Sequence, residues 1–456
     1  MTGLQAIPDL TACPRCDKAP LTESKDGLRC SGCKTEFPSV GGIPWLFAEP
    51  TASLGEWRNR LHFALQKIAR ESQQIGRELD DANLSELTRR RLEQQREAAD
   101  SHRSRLRDML APLDIHTSPA SYESYLALRT RLPTDQGIAT YYANIHRDWA
   151  WGNEENQASI DVIREIAGAS GYGRVLVLGA GAGRLAYDMH MASDAACTVA
   201  LDFNPLLVLV ASEVTSGRTL ELHEFPLAPK SLDDIAPLRS LAAPEPVREG
   251  FQLVLADALR PPFARQSFDT VVTPWIVDIV DEDFAVQAAR INNLLAEGGR
   301  WINFGSLAFR HASRQRCYSR EETLDIIEAH GFDIAGAVDR EIPYMCSPSS
   351  RHARRETVFA FTATKTGKVK QPPRHKSLPD WLVTGKEPVP LSPSFQSQAM
   401  ATRIHAYIMA MIDGKRSMHE MAEILEQQQL LSRDEALPAL RNFLTKMHDD
   451  ASLDAG

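Results

Sequence analysis

The amino-acid sequence predicts an α/β protein centred on a Rossmann-like, doubly wound sheet, with a zinc-type ribbon and a helical segment before it and a further helical module after it. Three observations carry this. Residues 174–202 read as strand, glycine loop, helix, strand, acid. Apolar runs then alternate with helix-forming segments as far as residue 364, the pattern of parallel strands with helices packed on both faces. Two Cys-x-x-Cys pairs stand in the first 33 residues, well away from that unit.

With 456 residues the chain exceeds one ordinary domain. It is 43% hydrophobic and 24% charged, values of a soluble globular protein. No apolar stretch is long enough to span a membrane, and the N-terminus has no basic-then-apolar export pattern. A formal charge of -9 argues against broad electrostatic binding to nucleic acid. Four of the seven cysteines lie in the ribbon, while Cys197, Cys317 and Cys346 are scattered, which is no disulfide framework. That usage, without an export pattern, fits a reducing cytoplasm.

Residues 1–50 hold Cys13-Pro-Arg-Cys16 and Cys30-Ser-Gly-Cys33. Two such pairs, a hairpin's length apart, offer four thiolates to one tetrahedral zinc ion. Four protein ligands leave no coordination position open, so this zinc is expected to be structural. In residues 51–120, Leu61, Leu65, Ile68, Ile75 and Leu79 recur at helical spacing, as do Leu92, Ala99, Leu106 and Leu113. The spacing predicts two long amphipathic helices interrupted near 80–83. The arginines at 89–91 read as a solvated helix face, because acids are interspersed with them.

Residues 121–366 contain the predicted sheet. The segment YYANIHRDWAWGNEEN, 141–156, reads as an amphipathic helix packing aromatics on the core, followed by a helix from 157 to 167. The first strand ends at 178, and glycines follow at alternate positions, Gly179, Gly181 and Gly183. The dinucleotide fingerprint is GxGxxG; here the third glycine comes one residue early. GxGxG suits S-adenosylmethionine (SAM) better than NAD, because no pyrophosphate has to sit on the helix N-terminus. Asp202 ends the second strand, where an acid accepts hydrogen bonds from ribose hydroxyls. A third strand ends in Asp257, a fourth covers 268–275, a helix 288–295 and a fifth strand 300–304. A helix at 319–330, with a serine cap and acids in its first turn, precedes an antiparallel pair at 332–342 and 357–364. Such a closing hairpin is a feature of SAM methyltransferases rather than dehydrogenases. Residues 213–249 form an insertion between the second and third strands and are expected to act as a partial lid. Residues 367–393, rich in Pro, Lys and Gly, read as a linker. Residues 394–456 return to helical periodicity: a helix, a turn at Asp413-Gly414, a second helix capped by Ser417 and a third at 433–448.

Three resemblances add to this reading. ACPRCDKAPL, LRCSGCKTEFP and GGIPWLF resemble the small zinc-ribbon activator subunits of tRNA and protein methyltransferases, here fused in cis over about the first 48 residues. SPSFQSQAMATRIHAYIMAMIDGKRSMHEMAEIL resembles the winged-helix modules of PqqD-like peptide chaperones. HRDWAWGNEEN, RVLVLGAGAGRLAYD, LVLADAL, FDTVVTPWIVDIVDE, LLAEGGRWINFGSLAFRH and SREETLDIIEAHGF resemble the carnosine N-methyltransferase family, over roughly 140–364. Those enzymes methylate an imidazole nitrogen using SAM.

The last resemblance implies site residues. Arg147 would grip the methionine carboxylate of SAM, a charge-assisted pairing suited to guanidinium. Asn144 stands where the family has a glutamine, Gly179 stands at the loop, and Asp202 replaces a family glutamate at the ribose. Asp257 would contact the adenine amine or its surroundings. On the acceptor side Asp278 matches the family aspartate after the fourth strand. A carboxylate there accepts a hydrogen bond from one imidazole nitrogen and leaves the other nitrogen's lone pair aimed at the methyl sulfonium. The family histidine falls at Arg310, with His311 beside it: either a one-residue shift keeps the role, or an arginine replaces it and the substrate differs. Tyr344 matches a family tyrosine, and a second family tyrosine falls near Arg355. The loop SSRHARRE around Arg355 reads as a solvated basic loop, with docking of a substrate carboxylate or phosphate as the alternative.

The expected function is a cytoplasmic SAM-dependent N-methyltransferase acting on an imidazole-containing small molecule or short peptide. A tRNA or protein methyltransferase with a cis-fused zinc-ribbon activator is a second reading. A non-catalytic SAM-binding scaffold or peptide carrier is a third, weakened by the presence of both Arg147 and Asp278.

Overall fold

The computed structural model describes residues 8–113, 137–168, 171–311, 313–374, 381 and 387–455. They divide into two compact units, residues 1–377 and 378–456.

In the first unit the ribbon is a four-stranded antiparallel sheet of β1 (Thr22–Ser24), β2 (Gly27–Arg29), β3 (Glu36–Val40) and β4 (Ile43–Pro44). The two expected helices follow as α1 (Pro50–Glu78) and α2 (Glu86–Met109). Ser85 starts α2 by accepting the Thr88 N–H, satisfying one of the free donors of the first turn. The arginine run is not only a solvated face. Arg89 reaches back to the Leu79 carbonyl at 2.9 Å and caps the end of α1.

The segment 141–156 departs from one regular helix. A short α3 (Tyr142–His146) passes into a π-helical turn, Arg147–Trp151, and α4 (Asn153–Ala167) begins four residues before the expected start at 157. The Gly152 N–H bonds to the Arg147 carbonyl, five residues back, at 2.9 Å. Such one-turn widenings occur at functional sites.

The strands of the main sheet and their helices then follow in alternation: β5 (Arg174–Leu178), α5 (Arg184–Met191), β6 (Cys197–Asp202) and α6 (Pro205–Thr215). The insertion contributes a hairpin, β7 (Leu220–His223) and β8 (Leu238–Leu241). Next come β9 (Phe251–Leu255), β10 (Phe268–Pro274), α7 (Phe284–Leu294), β11 (Leu295–Gly305), α8 (Arg320–Ala329), β12 (Phe332–Tyr344) and β13 (Arg354–Lys365). Helix α7 starts at 284 rather than 288 because Asp283 caps it, accepting the Ala285 N–H at 2.9 Å. Strand β11 begins at 295 rather than 300 and carries Gly298-Gly299 within it.

The sheet order is β12-β13-β11-β10-β5-β6-β9. The five strands β11, β10, β5, β6 and β9 pair in parallel, and β13 is antiparallel to both its neighbours. The chain winds outward from β5 in one direction, then returns to pair β10 on its other side. That reversal opens a crevice at the carboxyl ends of β5 and β10.

The ribbon is part of this body. Trp45 bridges β9 in parallel, and the Leu46 N–H bonds to the Leu255 carbonyl at 2.7 Å. The Ala12 N–H reaches the Pro262 carbonyl at 2.9 Å. Leu21, Leu28 and Phe37 share one core with Val254 and Phe263, and Trp45 and Phe47 share another with Trp57, Leu61 and Leu255. The sheet edge at β9, which would otherwise expose unpaired backbone groups, is thus covered.

The insertion, expected to act as a partial lid, is fastened to the rest of the unit. The Tyr142 hydroxyl donates to the His223 carbonyl at 2.6 Å, Arg239 donates to the Ser349 hydroxyl oxygen at 2.6 Å, and Lys230 donates to the Pro348 carbonyl at 2.7 Å.

The second unit holds α9 (Pro393–Met411), α10 (Met418–Gln427) and α11 (Arg433–Ala455) around Ile408, Met411, Met421, Leu425, Ala436 and Leu440. Ser417 and Glu420 form a reciprocal capping box. No strand occurs among its described residues, so the expected helix–turn–helix is present without a wing.

Trp45 is fully buried and donates its indole N–H to Ser53 Oγ at 2.8 Å. Trp45→Ala is expected to destabilise the first unit by about 3–5 kcal/mol in urea unfolding. A loss below about 1 kcal/mol would mean that the ribbon contributes no shared core.

Candidate active site

The glycine loop leaves β5 with three left-handed residues, Gly179 at φ +71°, Gly181 at +60° and Gly183 at +88°. At Gly179 a Cβ would stand 2.7 Å from Ile276 Cδ1, so the loop lies directly against the chain leaving β10. At Gly181 a Cβ would meet nothing within 4 Å, which marks the open side of the loop. The Gly181 N–H donates to Asp202 Oδ2 at 2.8 Å, and the Asn204 N–H donates to Asp202 Oδ1 at 2.9 Å. Asp202 is buried, and burial pushes its carboxyl up to about 6 against the lowering effect of these backbone donors. Asp257 follows β9, half-buried, with Oδ1 accepting the Leu259 N–H at 2.8 Å.

The π-helical turn is clamped onto this loop. The Trp149 indole N–H donates to the Ala182 carbonyl at 2.8 Å. Arg184, in the first turn of α5, donates to the Asp148 carbonyl at 2.8 Å and lies over the Trp149 ring at 5.4 Å. Arg147 is held between two buried acids: Nε and Nη2 lie 2.8 and 2.7 Å from Asp148 Oδ1, and Nη1 lies 3.4 Å from Glu155 Oε1. A guanidinium has five N–H donors, so N–H groups on both terminal nitrogens remain for a ligand carboxylate. Asn144, on α3, is half-buried.

On the other side of the crevice Asp278 is 7% exposed. Its Oδ2 accepts the Ser306 hydroxyl and, at 2.7 Å, the Ala308 N–H, while its Oδ1 is buried with no hydrogen-bond partner. Trp275, three residues earlier, holds φ +52° and packs against Tyr344 with ring centroids 4.8 Å apart. Burial pushes the Tyr344 phenol up, opposed by the nearby Arg147 charge. Arg354 lies over the Tyr344 ring at 4.6 Å.

His311 is tied up elsewhere. Its Nδ1 accepts the Ser313 N–H at 2.9 Å, and its Nε2 lies 3.4 Å from Asp281 and 3.2 Å from Arg316. No hydrogen bond joins it to Asp278, the contact that the first of the two alternatives, a one-residue shift, would favour. Arg310 is exposed. Arg355 pairs across the strands with Glu341, Arg354 pairs with Glu356 at 2.8 Å, and Arg351 donates to the Lys230 carbonyl at 2.9 Å. Two of the loop's three arginines are thus paired with acids of its own hairpin. Sequence reasoning missed Trp149 as a clamp, Glu155, Trp275 and Ser306. Glu155 stands in a polar run that looks like an ordinary helix start, and nothing local marks it as buried.

In the ribbon the four sulfurs of Cys13, Cys16, Cys30 and Cys33 lie within 4.8 Å of one another, with Cys13–Cys33 and Cys16–Cys30 each at 3.5 Å. Four sulfurs about 2.3 Å from one tetrahedral zinc stand about 3.8 Å apart, so the donor set fits that ion.

The two glycine environments predict different defects. Gly179→Ala adds a side-chain clash to backbone strain and should lower stability by about 2 kcal/mol or more in thermal melts. Gly181→Ala carries only the strain, about 1 kcal/mol, but places a methyl group in open space and should weaken SAM binding by about tenfold in calorimetry. Equal stability losses with unchanged SAM affinity in Gly181→Ala would place the ligand elsewhere.

A family model described as carnosine N-methyltransferase matches residues 134–366, just over half of the chain. No curated protein sequence matches it. Among solved structures, N-methyltransferase NodS from Bradyrhizobium japonicum in complex with S-adenosyl-L-homocysteine is similar at 12% identity, over 49% of this chain and 98% of that one, with a TM-score of 0.32. A chain of the complex between the Haloferax volcanii Trm112 methyltransferase activator and a methyltransferase is similar at 12% identity, over 50% and 97%, with a TM-score of 0.35. The family match falls on the sheet, the glycine crevice and the clamped turn described above, and with it the chain belongs to the carnosine N-methyltransferase family and is a SAM-dependent methyltransferase.

Proposed function

We propose that this methyltransferase acts on an imidazole nitrogen of a histidine-containing small molecule or short peptide. The observation that supports this is the state of Asp278: one oxygen engaged twice, the other buried and unpartnered. A buried acceptor left without a donor costs about 1–3 kcal/mol, and a ligand N–H removes that cost. An imidazole offers one N–H to the carboxylate, and the same contact keeps the lone pair of its other nitrogen free to attack. SAM supplies the methyl group as a sulfonium. Transfer is an in-line displacement, so the protein contributes mainly position. In this reading Arg147, with Asn144 nearby, takes the methionine carboxylate, Asp202 the ribose diol and Asp257 the adenine edge, while Tyr344 lines the acceptor side. His311 is left out, because both its nitrogens are engaged.

We infer a structural zinc at Cys13, Cys16, Cys30 and Cys33, from the convergence of the four sulfurs. No described helix is long and apolar enough to cross a membrane, and no disulfide joins any of the seven cysteines, which suits a cytoplasmic setting.

Purified protein with SAM, assayed by mass spectrometry against carnosine, histidine and related imidazoles, should yield a methylated imidazole. Asp278→Asn should lower kcat/KM by about 100-fold or more, with the SAM Kd changed by less than about threefold. Turnover equal to wild type would remove Asp278 from the acceptor site. Metal analysis should find one zinc per chain, and chelation should lower the melting temperature of the first unit. Metal-free protein with an unchanged melt would refute the zinc assignment.

A further inference from the structure

One buried acid is left unused by the reading above. Glu155, in the first turn of α4, is 5% exposed. Its two oxygens face two different parts of the site. Oε1 lies 3.4 Å from Arg147 Nη1, on the donor side. Oε2 accepts the Met345 N–H at 2.7 Å. Met345 directly follows Tyr344 and holds φ +54°, a left-handed conformation that costs a non-glycine residue about 1 kcal/mol or more and persists only where its surroundings impose it. The loop beyond it is fastened to the insertion, where the Ser347 hydroxyl donates to Glu224 and the Ser349 hydroxyl donates to Asp234 at 2.5 Å. Glu155 therefore stands between the guanidinium on the donor side and the backbone that sets Tyr344.

We propose that Glu155 is a positioning residue that couples occupancy of the SAM carboxylate site at Arg147 to the setting of Tyr344 and its loop, through the Met345 N–H. The proposal rests on the reading of Arg147 as the carboxylate grip. The physical basis is competition for one cation. Glu155 shares its charge between Arg147 and the Met345 N–H. A second carboxylate arriving on Arg147 takes part of the guanidinium, and in a buried setting the displaced share of the Glu155 charge falls on its remaining donor. The Met345 hydrogen bond then tightens, and the setting of Tyr344 firms further when the donor is in place. Burial holds the Glu155 carboxyl above its usual range and the Arg147 charge opposes this, which is the balance that a second anion would disturb.

The test is amide hydrogen exchange of full-length protein, with S-adenosyl-L-homocysteine as the probe, because it carries the same carboxylate. In wild type the probe should slow exchange at Met345 by about fivefold or more, the low end of site–site coupling. Glu155→Gln keeps an oxygen for the Met345 N–H but removes the charge. It should bind the probe, protect the amides at 179–183, and lose the slowing at Met345. Glu155→Asp, which retains charge but not reach, should lose it too and serves if the glutamine variant does not fold. Slowing at Met345 in either variant equal to wild type overturns the proposal. So does a wild type in which the loop at 179–183 is protected and Met345 is not. The reading of Arg147 is checked separately by Arg147→Gln, which removes the cation. If that variant binds the probe as wild type does, the carboxylate is held elsewhere and the coupling falls with it, an outcome distinct from failure at Glu155 alone.

Discussion

The hydrogen bond from the Trp149 indole to the Ala182 carbonyl is the constraint on which the rest of the site depends. It joins the π-helical turn to the glycine loop across 33 residues of sequence, and Arg184 reinforces it by donating to the neighbouring Asp148 carbonyl. A turn widened by one residue aims its side chains differently from a regular helix. Here that turn places the Arg147 side chain between two buried carboxylates while its backbone roofs the loop. The clamp fixes where the turn sits against the loop, and the two acids then fix the direction of Arg147.

A second dependence runs through the sheet edge. A ribbon of this size buries too little apolar surface to be stable on its own, and the remedies are a metal, a shared core or both. This ribbon shares its core with the sheet and adds Trp45 beside β9, so its fold and the integrity of the sheet edge are one problem. The insertion is handled in the same way. Serines of the loop after β12, together with Glu224, Asp234 and Arg239, turn a long connection into a wall.

The crevice concentrates buried acids. Asp202 is burdened by burial, Glu155 by burial beside Asp148, and Asp278 by an oxygen without a partner. None of this favours the empty protein. Functional sites are where such costs are tolerated, because a ligand with complementary donors or charge relieves them.

Local chemistry made much of the fold legible. The strand–glycine–acid unit, the Ser319 and Ser417 caps and the paired cysteines are short-range patterns whose cause lies within a few residues, and the structure carries them where the sequence puts them. Element ends were less legible, as at α7 and β11, because a cap or a strand partner decides them. The π turn, the pinning of the insertion, the diversion of His311 to Asp281 and the Glu155–Met345 bond were not legible at all. Glu155 and Met345 stand 190 residues apart, and no local signal tells a buried carboxylate from a solvated one. The sequence by itself determined the class of fold, the kind of cofactor and the residue types at the site. Only the tertiary structure decided which of those side chains meet, because that depends on packing between segments far apart in the chain.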